Sequence, residues 1–555
     1  MGKQKINRKK IVPFWLIALF AGIVSPAIAQ SNNENKQDIS QVWVADNGDG
    51  TYKNPILHTD YSDPDVVRVG DDFYMTASSF NCIPGLPVLH STDLVNWELI
   101  SYALHKQPPF DVFDKPQHGN GVWAPCIRFH KGEYYIYYPD PDFGIYLTKA
   151  KDPVGPWSEP ILVKEGKGLI DPSPLWDDDG KAYLVHAFAG SRAGVKSILV
   201  VSKMSTDGTK LLDDGVMVFD GGQNHPTLEG PKFYKRNEYY YIFAPAGGVS
   251  TGWQLIMRSK NIYGPYDSKV VLEKGKTAVN GPHQGAWVDT PSGEDWFIHF
   301  QNKDAYGRIV HLQPMSWKND WPVMGIDLDG DGIGEPVSSY KKPDLPKGKV
   351  MTPSESDEFN EPSLGLQWQW HANPKITWGF PTGHMGFYRL NCFPKSDDYV
   401  NLWETPNLLL QKFPAEEFMV TTKFTFNNHF DGEEIGFVVM GESYQFISLK
   451  QINEKLKIRV VRCDNARKNG AEKELFEHGF KEKTVYFRLK VKAGAVCSFS
   501  YSADGEKFTE AGDNFNAVPG RWIGAKVGFF ALRDGVINNA GSADIDWFRI
   551  EKTEE

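Results

Sequence analysis

Three acidic residues occupy the same place in a repeated sequence unit, and chemistry would be expected there. Asp63 opens Asp63-Pro64-Asp65-Val66, Asp171 opens Asp171-Pro172-Ser173-Pro174, and Glu229 opens Glu229-Gly230-Pro231-Lys232. Two further units open on Ala124 and His283. If equivalent positions converge in space, three carboxylates and a histidine face one another. Crowded carboxylates repel and resist desolvation, so they are a poor way to build a core. A single Asp at a strand start would read more simply as a turn residue. Such a trio suits hydrolysis of a glycosidic bond. One carboxylic acid must be protonated to donate to the leaving oxygen, and one carboxylate must be ionised to activate water. Inverting enzymes hold that pair about 6.5–9.5 Å apart. A third carboxylate raises the acid's pKa by like-charge repulsion.

The elements that must position these residues are legible in the repeat. Each unit reads as a strand, a tight polar turn and an aromatic strand. Asp63 leads through Gly70-Asp71 to Phe73-Tyr74-Met75, and Ala124 through Lys131-Gly132 to Tyr134-Tyr135-Ile136. Asp171 leads through Asp179-Gly180 to Tyr183, Glu229 through Arg236-Asn237 to Tyr239, and His283 through Ser292-Gly293 to Trp296. That is a β-hairpin signature. The leads are 61, 47, 58 and 54 residues apart. A period of about 55 residues holds four short strands and their loops, one propeller blade. The sequence therefore predicts an all-β fold with a five-bladed β-propeller over 50–340.

The opening residues read differently. Lys3, Lys5, Arg8, Lys9 and Lys10 precede an apolar run from Ile11 to Val24, and Ala27-Ile28-Ala29 fits a small-residue cleavage site. Residues 1–29 are expected to be a secretory signal peptide, too short for a comfortable membrane span. Export to the periplasm or the extracellular medium follows, with no membrane insertion. Losing five basic residues shifts the net charge from −10 to −15. A mature chain that acidic is a poor nucleic-acid binder, whereas a neutral polysaccharide is indifferent to it. Residues 30–49 are expected to be a flexible N-terminal segment. The five cysteines, Cys82, Cys126, Cys392, Cys463 and Cys497, show no metal-site spacing. Buried thiols are expected, with a Cys82–Cys126 pair left open.

The quoted motifs resemble glycoside hydrolase family 43. Tyr61-Ser62-Asp63-Pro64-Asp65 looks like its opening motif, and Val122-Trp123-Ala124-Pro125, Ile170-Asp171-Pro172-Ser173 and Leu228-Glu229-Gly230-Pro231 resemble the next three. Gly307-Arg308-Ile309-Val310-His311 resembles its late arginine motif. The whole chain looks most like two-domain β-xylosidases and α-L-arabinofuranosidases. The resemblance implies Asp63 as general base, Glu229 as general acid and Asp171 as the residue that tunes and holds Glu229. It implies that Arg308 binds sugar hydroxyls or steadies a carboxylate. It also implies that His283 lies at the channel floor near a bound calcium or water, and that Trp123 is a stacking wall. Asp65 departs from the family pattern. Period two places it on the same side of the strand as Asp63, a rival for the base.

Other candidates are weaker. Phe188 and Trp253 follow inner strands in Gly-rich loops and are expected to shape a subsite or simply pack. His186 and His225 read as structural, although His225 is close to Glu229 in sequence. Asp327, Asp329 and Asp331 resemble the first half of an EF-hand loop, but Ser338 stands where its Glu belongs. A structural calcium there, or beside His283, is left open; the chemistry itself needs no cofactor.

Residues 341–353 are rich in Lys and Pro and read as a linker. Alternating strands follow, from Leu366–Trp370 to the closing Ala543–Ile550, so 354–555 is expected to be a β-sandwich. It looks like the concanavalin-like domain of the same relatives. In some of them a sandwich loop narrows the active-site mouth, which favours exo action. Release of a terminal pentose from plant poly- or oligosaccharide is the expected activity. An endo-arabinanase with an open groove and a non-catalytic sugar-binding propeller are the alternatives. Sugar identity and oligomeric state stay open.

Overall fold

A computed structural model describes residues 39–535 and 539–553. The expected signal peptide and residues 30–38 lie outside the described residues.

Five four-stranded antiparallel sheets form the first domain. Their innermost strands are Asp65–Val69, Cys126–His130, Leu169–Trp176, Lys232–Arg236 and His283–Asp289. The expected hairpins form in register: Val69 pairs with Asp72, His130 with Glu133 and Arg236 with Tyr239. Lys131 and Gly132, both at positive φ, make the tight turn of the second blade. The Asp152–Trp157 and Ile262–Tyr266 segments join the outer strands of blades two and four.

An apolar wedge fills each of the five junctions. Met75 and Leu89 meet Val288 and Ile298 between blades one and five. Leu86 and Val88 meet Ile127 and Ile136, and Tyr137 and Leu147 meet Leu184 and Met204. Val185 and Leu199 meet Phe233 and Ile242, and Phe243 and Ile256 meet Phe297 and Met315. With a wedge between the last blade and the first, the ring closes and each side chain buried there is removed from water. Closure is reinforced because Thr51–Lys53 pairs with Ser339–Lys341. The Tyr52 hydroxyl and Asn54 Nδ2 both donate to Leu312 O, each at 2.8 Å.

The second domain packs a seven-stranded sheet on an eight-stranded one, a β-sandwich. Trp368, Phe424, Phe437, Phe487, Phe529 and Phe548 fill its interior. Strand Thr484–Lys492 shows why: every second residue is buried. The two domains share backbone bonds. Ile83 N donates to Trp370 O at 3.0 Å and Trp370 N to Ile83 O at 2.6 Å. His118 stacks on Trp403 with ring centroids 3.7 Å apart.

Residues 39–49, expected to be flexible, are pinned. Ser40 Oγ donates to Glu355 Oε2 at 2.7 Å and Trp43 Nε1 to Pro55 O at 3.1 Å. The Lys- and Pro-rich connection is also packed: Lys342 Nζ lies 2.7 Å from both Asp46 and Asp93. Polar composition suggested slack in both segments, but Ser40, Trp43 and Lys342 tie them to the folded body. All five cysteines are free and buried, so Cys82 and Cys126 are not paired.

Candidate active site

The lead residues gather at one end of the propeller axis, where a cavity of about 680 Å³ opens. Asp63, Ala124, Asp171 and Glu229 line it, together with Trp123, Phe188 and Arg308. Four blades therefore contribute their equivalent position to one space.

Asp63 and Asp171 both adopt positive φ, 55° and 57°. Non-glycine residues seldom take this conformation, which is costly unless the surroundings hold it. Asp171 sits where the register of its strand shifts, between Ile170 and Ser173. The local kink re-aims the carboxylate, as bulges beside active sites do.

Asp63 is surrounded by donors. The hydroxyls of Ser62 and Ser78 each donate to Oδ2 at 2.6 Å. Arg308 Nη1 lies 3.1 Å from both carboxylate oxygens and donates to Ser62 Oγ at 2.6 Å. Arg308 thus steadies a carboxylate and still lines the cavity.

Asp171 is buried and accepts a bond from Gly230 N at 2.7 Å. Its carboxyl is pushed up to about 8, first by burial, then by the charges of Glu229 and, more weakly, Asp63; the Gly230 bond opposes this. Like charges at short range cannot all ionise at neutral pH, so a proton is retained among these acids. Glu229 is more exposed, and its Oε1 shares a 3.1 Å hydrogen bond with His283 Nε2. His283 is fully buried beneath Glu229 and does not line the cavity. Its Nδ1 has no partner and lies against Gly252.

Asp65 is not a rival for the base. It is fully buried and away from the cavity. Its Oδ2 accepts bonds from Ile127 N and Arg128 Nη1, both at 2.7 Å, and its Oδ1 lies 3.7 Å from Lys232 Nζ. Arg128 continues to Ser173 Oγ at 3.2 Å, which also accepts from Phe233 N at 3.0 Å. This tier, one step deeper than the acids, clamps four blades together. Period two did place Asp65 on the axis, but two cations there had already claimed it.

Trp253 is also elsewhere. Its ring packs under Gly247 and joins the wedge between blades three and four. His186 is buried, with Nδ1 at 3.2 Å from Ala187 O. His225 lies near the Trp253 ring rather than in the cavity. The three acids of the 327–331 turn bring ligand atoms within 4.8 Å of one another, yet both oxygens of Asp327 accept backbone bonds from Gly330 and Gly332. That turn organises itself.

Sequence reasoning missed Trp522. This sandwich residue, in a Pro519-Gly520-Arg521-Trp522 loop, lines the cavity in edge-to-face contact with Trp123, ring centroids 6.4 Å apart. The loop is moored by Gly524 N, which donates to Asp60 Oδ2 at 2.9 Å. Asp60 Oδ1 accepts from Arg308 N at 2.8 Å. One buried carboxylate thus ties the loop to the arginine that holds Asp63. The Pro-Gly pair signals a loop, but nothing in its composition says where it lands.

Comparison with known proteins agrees with this geometry. Residues 52–322 match glycosyl hydrolases family 43, and residues 356–551 match the β-xylosidase C-terminal concanavalin A-like domain. A Xylanibacter ruminicola protein provisionally named a β-xylosidase is 40% identical over 87% of this chain and 86% of its own length. A Formosa agariphila β-xylosidase is 32% identical over 95% of this chain and 96% of its own. The crystal structure of a Bacillus halodurans xylan β-1,4-xylosidase superposes with a TM-score of 0.80 at 25% identity, covering 90% of this chain and 100% of that one. Carboxylates, scaffold and relatives lead to the same place: the chain belongs to glycosyl hydrolase family 43.

Proposed function

We propose that the protein is an inverting, exo-acting glycosidase that releases a terminal pentose, β-D-xylose or α-L-arabinofuranose, from hemicellulose-derived chains. The observation that carries this reading is a single pocket with Asp63, Asp171 and Glu229 on its walls and Trp522 of the second domain closing one side. An endo-acting enzyme needs a groove open at both ends, and this wall argues against one. A purely sugar-binding propeller has no use for three crowded acids. Both sugars are kept because the relatives include an α-L-arabinofuranosidase of Bacteroides ovatus, 29% identical over 90% of this chain, alongside the β-xylosidases.

In this mechanism Asp63 takes a proton from water as the oxygen attacks the anomeric carbon. Glu229 gives its proton to the leaving oxygen as the C–O bond breaks. Proton exchange with solvent resets both groups. Asp171, held by Gly230 N, and Glu229 stand too close for both to ionise cheaply, so the pair keeps one proton between them for the donor step. The chemistry uses carboxylates alone. A structural calcium, at the 327–335 turn or beside His283, would add no step; chelation with a melting curve tests it separately. Export is likewise proposed from residues 1–29, and mass spectrometry of the secreted protein would reveal cleavage after Ala29.

The test compares native enzyme with Glu229→Ala. Nitrophenyl pentosides have good leaving groups and need little acid assistance, whereas xylobiose needs it fully. The variant is expected to lose roughly 10²–10⁴-fold in kcat on xylobiose and much less on the nitrophenyl substrate. Proton NMR of the first product should show the inverted anomer. Equal losses on both substrates, or a retained anomer, would sink the assignment.

A further inference from the structure

Two arginines flank the two tryptophans at the cavity mouth, and the mechanism uses neither. The Arg192 guanidinium stands over the Trp123 ring at 5.4 Å, and that of Arg521 over the Trp522 ring at 4.2 Å. The stem of Arg521 rests on Gly119, whose carbonyl accepts the Trp123 Nε1 bond at 2.8 Å. The two aromatic–cation pairs therefore meet at one rim. Lys196 adds a third cation on the cavity wall, exposed, its Nζ 3.4 Å from Thr227 Oγ1.

Arg192 is held in place by an ion pair, whereas Arg521, among the described residues, keeps its charge unpaired. The nearby acids are engaged: Asp142 with Arg192 at 3.3 Å and Glu442 with Arg467 at 3.0 Å. Arg192 also donates to Asn120 Oδ1 at 2.6 Å. Arg521 has no hydrogen bond or ion pair among the described residues. Burial, then the charge of Arg467 and, more weakly, of Arg192, hold its guanidinium below the ordinary arginine value against the opposing pull of Glu442, so a further anion would relieve it. A cationic rim is also against the trend of the molecule, whose net charge is −10. A neutral sugar can only stack and hydrogen-bond at such a cluster, whereas a sugar bearing a carboxylate also gains charge-assisted hydrogen bonds.

We propose that this rim is a binding site for a uronic acid carried on the leaving-group side of the scissile bond, its carboxylate held chiefly by Arg521 with Arg192 beside it and its ring packed on the surface that Trp123 and Trp522 form together. The acids occupy the interior of the pocket, so the terminal pentose goes inward and the rest of the chain passes the rim. The preferred substrate class is then an acidic pentose oligosaccharide rather than a neutral one. This inference rests on the exo-pentosidase reading.

The test uses neutral xylotriose and the same trimer with a uronic acid on its second sugar. Steady-state kcat/KM is measured at low salt and at about 0.5 M salt, where screening shortens the reach of exposed charges to a few ångström. The native enzyme is expected to favour the acidic trimer roughly three- to tenfold at low salt, the gain typical of rim charges. High salt should bring the ratio toward one. Arg521→Glu should push it below one, and Arg192→Gln should lower it in the same direction without reversing it. A ratio at or below one for native enzyme, or one that neither variant moves, overturns the site while leaving the pentosidase reading standing. No cleavage of the neutral trimer overturns that reading and this inference with it.

Discussion

At the scale of single residues, the same side-chain type does two different jobs two positions apart. Asp63 meets the cavity and is held by hydroxyls and Arg308, whereas Asp65 meets Arg128 and Lys232 inside the ring. Asp63→Asn is expected to abolish turnover and, because the amide oxygen can still accept from Ser62, Ser78 and Arg308, to cost less stability than a change at Asp65. Asp65→Ala leaves two buried cations with no counter-charge and should cost about 3–5 kcal/mol of stability. Chemical unfolding alongside steady-state assays separates the two; a stable, inactive Asp65→Ala would reverse the assignment. Asp171 carries a pH signature. Its carboxyl ordinarily titrates near 3.8 but is pushed up to about 8 in the fold. The native state therefore binds a proton that the unfolded chain has released, and stability declines as pH rises through that window. Asp171→Asn removes this titration. Its melting temperature should fall less than that of the native enzyme between about pH 4 and pH 8. Parallel curves would show that the retained proton is not there. The three acids were legible because their motifs recur in equivalent units, and Arg308 only through the resemblance of its Gly307-Arg308 motif to the family's. Ser62 and Ser78 were not, since a lone serine beside an acid has no pattern to stand out from.

At the scale of elements, hairpins were readable where the chain spells out its own turn. Lys131-Gly132 and Gly70-Asp71 each fix a register, and alternation fixes which face is buried. Strands Glu472–Phe480 and Thr509–Asn516 escaped notice for a physical reason. Each is the outermost strand of its sheet and buries few residues, so selection for alternation is weak there. The stretch expected as strand from Leu366 shortens to Gln369–Trp370, because Trp368 N turns back to Gly365 O at 3.2 Å. The loop ending in Gly524 is the element with most functional leverage. Its mooring on Asp60 also grips Arg308, so loop position and carboxylate orientation share one anchor. Trp522→Ala should raise KM for xylobiose several-fold while kcat changes little, because it removes a wall and no reacting group. Asp60→Asn disturbs both the loop and Arg308, so KM should rise and kcat should fall together. A kcat effect confined to Trp522→Ala would mean that the wall, and not the anchor, organises the acids.

At the scale of the whole molecule, the sandwich completes the active site as well as the fold. Its residues meet the propeller at contacts separated by hundreds of positions in sequence, and no local pattern announces them. Tyr306 shows the mode. It lies one residue before the Gly307-Arg308 corner, and its hydroxyl donates to Glu416 O at 3.0 Å and accepts from Ala495 N at 2.7 Å. Asn373 exchanges two bonds with the Gln107 backbone, at 2.8 and 3.0 Å. Removing the sandwich would strip these partners from buried polar groups and expose apolar surface around Ile83, Phe113 and Tyr306, each group costing the desolvation it no longer repays. It would also remove Trp522, Arg521 and the Gly524 donor in one step. A chain ending at residue 353 is therefore expected to aggregate, or to melt well below the full chain, with kcat/KM on xylobiose reduced at least tenfold in any folded fraction. Circular dichroism melts and light scattering, run beside the assay, decide it. A monomeric propeller that melts cooperatively at the native temperature and cleaves xylobiose at the native rate would make the sandwich an appended module. Loss of activity with folding intact would assign it to the pocket alone. Loss of both, the expected result, means that one interface supports the ring and closes the site.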